Sequence, residues 1–231
     1  MALILSIDTA TEHAIVSLAN AYHILASEEN EEPMNHASFV QPAIARILSK
    51  SNLKLSEIDA VAVSAGPGSY TGLRVGLSSA KGLCFALNKP LIVLNTLQIM
   101  AQQAALQIGK NEALYCPMID ARRMEVFAAL FNFSLNEIQK TSALILTDES
   151  IADTFSQEGK ETIFFGSGAK KWEAIAPKRN FTFYHEKLNA SQAINLLAQQ
   201  CFREQSFADL AYSEPLYSKS FYTTAKINDV L

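Results

Sequence analysis

The chain has 231 residues, of which 49% are hydrophobic and 18% charged, and a net charge of −4. This is about 1.5 times the usual domain length, so one large domain or two smaller lobes is expected, with enough apolar material for a real core. A net negative chain lacks the basic face that tight autonomous nucleic-acid binding requires. The pairs Arg122–Arg123, Lys170–Lys171 and Lys178–Arg179 read as solvated surface. Three widely spaced cysteines, Cys84, Cys116 and Cys201, form no C-x-x-C and fit a reducing compartment. The opening MALILSIDTA has no basic region and is interrupted by Asp8, which makes it a poor signal peptide. No uninterrupted apolar run approaches the ~18 residues of a spanning helix. A cytoplasmic protein without a membrane role is expected.

In chain order, LILSI is a short strand that stops at DTAT, and HAIVSLAN and YHILASEE continue an antiparallel meander of three strands. NHASFVQPAIARILSK places Phe39, Val40, Ile44, Ile47 and Leu48 on one helical face, with Pro42 expected in the first turn or at a kink. DAVAVS is a strand buried on both faces. The glycine-dense stretch SAGPGSYTGLRVGLSSAKGL follows, and from Thr71 to Leu87 the residues Leu73, Leu77, Ala80, Cys84 and Leu87 recur at helical spacing. LIVL is another buried strand, and Asn95 or Thr96 caps a helix that runs to Ile108 and is stopped by Gly109. The second half repeats this order. ALYCPMID and MEVFAALF are strands joined by an Ala-Arg-Arg turn, with a third strand near Ser142 to Leu146. TDESIADTFSQ is a helix with a good N-cap, TIFF a strand, SGAKKWEAI a glycine-led helix, FTFY a strand and ASQAINLLAQQCFRE an amphipathic helix. A β-β-β-α-β-α-β-α order thus appears twice and splits the chain into lobes 1–108 and 109–231, each a mixed sheet covered by helices. With no low-complexity linker, the lobes should touch directly. The tail from Ser213 to Leu231 is polar and without a period, so it either packs back on a lobe or stays loose.

The glycine segment is not a P-loop, because Lys81 lies well inside the helix, and GPGSYTG misses G-x-G-x-x-G by one residue of spacing. It reads either as an anion-binding helix start or as a packed turn. Within the helix, Gly72, Gly76 and Ser79, with Leu83, form a stripe of small residues that admits a close neighbour, either a helix of the same chain or another subunit. Asp8, Thr9 and Thr11 in DTAT could orient a metal or phosphate, or close an Asx-type turn. Asp120 occupies the matching hairpin of the second half, and two such carboxylates are what a phosphotransferase places around Mg-nucleotide. FFGSGAK is an adenosine-side turn or a plain strand-to-helix turn. The four histidines show no metal-ligand spacing, and there is no nucleophile elbow. His36, beside a helix start, reads as a cap or interface residue. Cys84 and Cys201 fall on core-facing helix positions.

ILSIDTATEHAIVSL, HASFVQPAIARIL and above all SAGPGSYTGLRVGLSSAKGLCFALNKPLIVLNTLQIMA resemble the TsaB family, bacterial partner proteins in making threonylcarbamoyladenosine in tRNA. The resemblance implies an α/β fold of duplicated RNase H-like, actin-like lobes. It also implies a non-catalytic relative of the transferase TsaD, because Thr96 and Met100 stand where that enzyme has metal-binding histidines, and Asp120-Ala121-Arg122 stands in place of its phosphate turn, where a fixed negative charge should repel phosphate. On this reading the first-lobe helices, with His36, Gly72, Leu73, Gly76, Leu77, Ser79, Ala80 and Leu83, meet TsaD. TsaE joins the pair, tRNA is met only through the complex, and the same helices support a homodimer when the chain is alone. Asp8, Thr9, Thr11 and Asp120 are then vestigial phosphate-binding positions. No metal and no cofactor is required, with ATP or ADP bound weakly or at the interface left open. The rival reading is an actin-like ATP-dependent phosphotransferase or acyl-transfer ATPase using Asp8 and Asp120. A peptidase lacks any nucleophile–base pair.

Overall fold

Each half of the chain builds one five-stranded sheet, and the two sheets have the same topology. The structure, a computed structural model, describes residues 2–21, 23–30, 32, 35–146, 150–186 and 190–217. In the first half, β1 (Leu3–Asp8), β2 (Ile15–Asn20) and β3 (His23–Glu29) form an antiparallel meander, and β4 (Ala60–Ser64) and β5 (Leu91–Leu94) add on the other side in parallel, giving the order β3-β2-β1-β4-β5. In the second half, β6 (Leu114–Asp120), β7 (Glu125–Phe131), β8 (Glu137–Ile145), β9 (Thr162–Phe165) and β10 (Phe181–Tyr184) are ordered β10-β9-β6-β7-β8, the same arrangement read from the opposite edge.

The helices are α1 (His36–Ser51), α2 (Tyr70–Leu87), α3 (Thr96–Ile108), α4 (Ser150–Thr154), α5 (Ala169–Glu173) and α6 (Ala190–Arg203). The central strands are buried on both faces, and side-chain alternation sorts their residues by size. Leu5, Ile7, Val61 and Val63 face α1 and α2, where Val40, Ile44, Ile47, Leu77 and Cys84 fill the gap. Ile4, Ala60 and Ala62 face the other way, onto Ile99 of α3 and Ala193, Ile194 and Leu197 of α6. Small residues on that face let α6, which comes from the second half, approach the first sheet. The opposite side of α3 packs Leu97, Ala101 and Ala104 against Tyr115, Phe131 and Ile163 of the second sheet. α3 and α6 are therefore shared between the lobes, which touch directly through them. Asn95 Nδ2 also donates to Thr141 Oγ1 across the same junction, at 2.9 Å.

Several sequence expectations shift. The third strand of the second half begins at Glu137, not near Ser142, because this edge strand is half-exposed and its first residues are polar. The helix read from SGAKKWEAI is only the five residues Ala169–Glu173. The N-cap expected at Thr147–Glu149 lies outside the described residues. Pro42 is an exposed residue in the second turn of α1, not the first. The tail packs back on the first lobe as far as Tyr217, and its remainder lies outside the described residues. Among the described residues, no helix is long and apolar enough to cross a membrane.

Candidate functional site

In both lobes the first strand ends in an aspartate, and both aspartates do the same local work. Asp8 Oδ1 accepts from Ala10 N at 3.1 Å, and Asp120 Oδ1 accepts from Arg122 N at 2.6 Å. Each carboxylate closes an Asx turn two residues on. Around Asp8 the site is closed. Ser64, at the end of β4, donates its hydroxyl to Asp8 Oδ1 at 2.6 Å, and Thr9 donates its own to the carbonyl of Gly72 at 2.7 Å. Asp8 and Thr9 are buried. Burial pushes the Asp8 carboxyl up from its ordinary range, against the lowering by Ser64 and the Ala10 amide. Thr11 donates to the carbonyl of His13 at 3.3 Å.

His36 completes this corner. It is the first residue of α1 and only 3% exposed. Its Nε2 lies 3.0 Å from the carbonyl of Thr11, and a carbonyl only accepts, so Nε2 carries the proton. Nδ1 then remains an acceptor with no protein partner. Burial holds the ring's pKa below its usual value. His36 is neither the cap, which Asn35 occupies without a side-chain bond, nor an exposed interface residue.

The glycines of the β4–α2 loop and of α2 fit against this closed turn. A Cβ on Gly68 would overlap the carbonyl of Ala10, one on Gly72 the carbonyl of Thr9, and one on Gly76 the Thr9 hydroxyl. A Cβ on Gly72 would also lie 2.9 Å from His36 Cδ2. Gly72 and Gly76 thus have their neighbours inside the chain, the β1–β2 turn and, for Gly72, also His36 at the start of α1. Leu73, Leu77 and Ala80 are likewise buried, Leu77 and Ala80 in the first core, while Ser79 and Leu83 are half-buried. Of the residues expected to meet another subunit, His36, Gly72, Leu73, Gly76, Leu77 and Ala80 are buried within the chain, and Ser79 and Leu83 keep part of their surface.

The second lobe repeats the arrangement in shorter form. Asp120 N donates to Ser167 Oγ at 3.0 Å, and Gly168 N donates to the carbonyl of Met118 at 3.0 Å. FFGSGAK is therefore a strand-to-helix turn seated on β6. Asp120 does not stand as an uncompensated charge, because Lys171 Nζ pairs with it at 2.6 Å and also donates to the carbonyl of Arg123. Arg122 and Arg123 take left-handed φ values of 67° and 50° in the turn.

Phosphate needs free backbone N–H groups at such turns. Here those of Ala10, Ser69, Gly72, Asp120, Ala121, Arg122, Gly168 and Ala169 already donate within the chain. Thr96 opens α3 with its backbone N–H on the carbonyl of Gly66, and Met100 is half-buried against the second core. No group of three or more His, Cys, Asp or Glu among the described residues could hold a metal ion. Burial raises the thiol of Cys84 to about 11, which makes it a poor nucleophile.

Beside its buried face, α2 carries a stripe of larger side chains. Tyr70, Arg74, Lys81 and Phe85 recur at spacings of four and seven, and Phe85 is 83% exposed. Arg74 sits over the Tyr70 ring at 4.0 Å. The sequence reading missed this stripe by following the glycines. A helical wheel drawn around Phe85 would have found it, since Phe85 lies off the leucine face.

Two sheets of one topology, helices shared between them and paired strand-end turns define an actin-like two-lobed protein. An inorganic polyphosphate/ATP-glucomannokinase from Arthrobacter sp. strain KM shares this frame at a TM-score of 0.51, with 13% identity over 88% of this chain and all of that one. A Pseudomonas aeruginosa structure, described as an uncharacterized protein with similarity to peptidase YEAZ, superposes far better. Its TM-score is 0.83, with 25% identity over 95% of this chain and 100% of that one. The family described as TsaD, tRNA N6-adenosine threonylcarbamoyltransferase, matches residues 24–224. The tRNA threonylcarbamoyladenosine biosynthesis protein TsaB of Escherichia coli K12 is 32% identical over 94% of both chains. The chain belongs to the TsaB family, within the wider TsaD-like group.

Proposed function

We propose that this protein takes part in threonylcarbamoyladenosine synthesis on tRNA as a non-catalytic partner and activator of the TsaD transferase. The observation that carries this reading is the closed first-lobe turn. Asp8 and Thr9 are tied to Ser64, Ala10 and Gly72, so the groups that would work on a nucleotide in an actin-like enzyme instead hold the fold together. TsaD docks on the exposed face of α2, through Tyr70, Arg74 and Phe85, because large aromatic and arginine side chains dominate protein–protein contacts. TsaE joins this pair, tRNA is gripped by the complex rather than by this acidic chain, and the chain alone forms a homodimer through the same face. It requires no nucleotide of its own, and any ATP or ADP lodges at the assembled interface.

The test is reconstitution of tRNA modification from TsaD, TsaE and the threonylcarbamoyl-adenylate supplier, with and without this chain. Modification should depend on its addition. Phe85→Ala should weaken TsaD capture by about tenfold or more while leaving the melting temperature unchanged, as expected of an exposed anchor. The rival reading, an ATP-dependent phosphotransferase, requires that the chain alone bind and turn over ATP, with loss on Asp120→Asn. Turnover of that kind would displace the proposal.

A further inference from the structure

The chain's last described residues run back along α2 without regular secondary structure of their own. Ala208 N donates to the carbonyl of Leu91 at 2.9 Å, and Leu216 N to that of Ala65 at 2.7 Å. Between these points Lys81 Nζ donates to the carbonyls of Ala211 and Ser213, at 3.1 and 3.0 Å. An ammonium has three donors, so one lysine can hold two nearby carbonyls of the turn that follows Asp209. At the far end Arg74 Nε donates to the Tyr217 hydroxyl at 3.0 Å, and the rings of Tyr217 and Tyr70 lie 5.4 Å apart. The strap reaches the glycine loop itself, since a Cβ on Gly66 would lie 2.8 Å from the carbonyl of Leu216. Gly66, with φ of 115°, therefore serves both the turn and the approach of the strap.

The loop Ala65–Ser69 is thus held from both sides. Ala10 accepts from Ser69 N on the inside, and Leu216 donates to Ala65 on the outside. Ser69 is the N-cap of α2, and its hydroxyl accepts from Gly72 N at 3.2 Å. Whatever fixes the loop also fixes the first turn of α2.

We propose that residues 211–217 are a detachable brace, anchored by Ala208 and Leu210 on the first core, that holds the glycine loop and the first turn of α2 in a single conformation. The hold is light. Tyr212 is 84% exposed, Leu216 and Tyr217 are also exposed, and a cavity of about 280 Å³ remains between Arg74, Leu77 and Lys81 on the helix and Ser213, Pro215 and Tyr217 on the strap. Segments with little apolar burial open locally, without global unfolding. Detachment leaves the sheet intact and frees the end of α2 that carries Tyr70 and Arg74. The brace thereby controls the order of that helix end, whatever binds there.

Amide hydrogen exchange on the free, full-length protein tests this without any partner. In the wild type, Leu216 N–H should exchange at least about tenfold faster than Leu5 and Val61 in the central strands. Lys81→Met keeps the aliphatic stem but removes the donors, and Tyr217→Ala removes the ring contact. Both should speed exchange in Ala65–Leu73 by about tenfold while Leu5 and Val61 keep their wild-type rates. If Leu216 exchanges as slowly as Leu5, the strap is core and not detachable. If both variants leave Ala65–Leu73 unchanged, it braces nothing. If either variant accelerates Leu5 and Val61 as well, the strap supports the whole lobe, and the proposal fails in that case too.

Discussion

The two lobes carry one plan at two scales. Each has the same strand order, an aspartate closing an Asx turn at the end of its first strand, and a glycine pair on the next turn, Gly66 and Gly68 in one and Gly166 and Gly168 in the other. They differ in what covers the outer face of the sheet. The first lobe uses α1 and α2, of 16 and 18 residues; the second uses α4 and α5, of five residues each. A five-residue helix cannot cover a sheet, and the second lobe fills the space with rings instead. Phe155, Phe164, Trp172, Phe181 and Phe183 pack at centroid separations of 5.0 to 6.3 Å. Each such ring buries far more area than an aliphatic side chain. Among the described residues, the long outer helices therefore belong to the first lobe.

Substitutions at matched positions break or sharpen this comparison. The largest effect is expected at Gly76→Leu, whose side chain would collide with Thr9 beneath α2. It should cost more than about 3 kcal/mol, or abolish folding, in denaturant titration. It therefore reports on the fold, and cannot serve as a test of partner binding. Next comes the pair Gly68→Ala and Gly168→Ala. The first puts a methyl against the backbone of Ala10, which cannot move aside; the second meets the Val126 methyl at 2.8 Å, which can yield in part, and the Ile119 backbone carbon less closely, at 3.1 Å. We expect about 3 kcal/mol for the first and about 1–2 for the second. Equal costs would mean that the two glycine turns are equally tight.

A third effect is pH-dependent and has no counterpart in the second lobe. The His36 pKa is depressed from 6.5 by burial, so the unfolded chain binds its proton first as pH falls. The stability this contributes is complete above 6.5 and is lost as pH falls through the folded value. His36→Gln keeps an N–H for the Thr11 carbonyl and does not titrate. It should flatten the stability loss between about pH 7 and 5 in denaturation series. Asp8 has the opposite sign: its raised pKa contributes stability below 3.8 that is lost as pH rises through the folded value. The smallest effect is Gly82→Ala. A Cβ there meets nothing within 4 Å, and alanine should raise stability by about 0.5–1 kcal/mol, read as a higher denaturation midpoint.

Much of the fold was legible in the sequence because its central strands are apolar and its helices periodic. The Leu73–Leu77–Ala80–Cys84 stripe is the buried face of α2, and Asn95 and Gly109 bound α3 as their chemistry requires. Edge strand β8 was misplaced because a half-exposed strand carries no continuous apolar run. The site was legible in identity but not in meaning. Asp8, Thr9, Gly72 and Gly76 stood out as special, yet the sequence could not say that Thr9 lies beneath the glycines, since the two segments are more than sixty residues apart. The compensation of Asp120 by Lys171 was hidden for the same reason.

By itself, the sequence determined the order of elements, their repetition and which faces are apolar, because these follow from local periodicity and turn chemistry. Only the tertiary structure decided what each glycine approaches, that α6 of the second half covers the first sheet, and that the chain's end returns to strap α2. Those are contacts between distant segments, and steric fit across a gap of a few ångströms is set by the packing of the whole molecule.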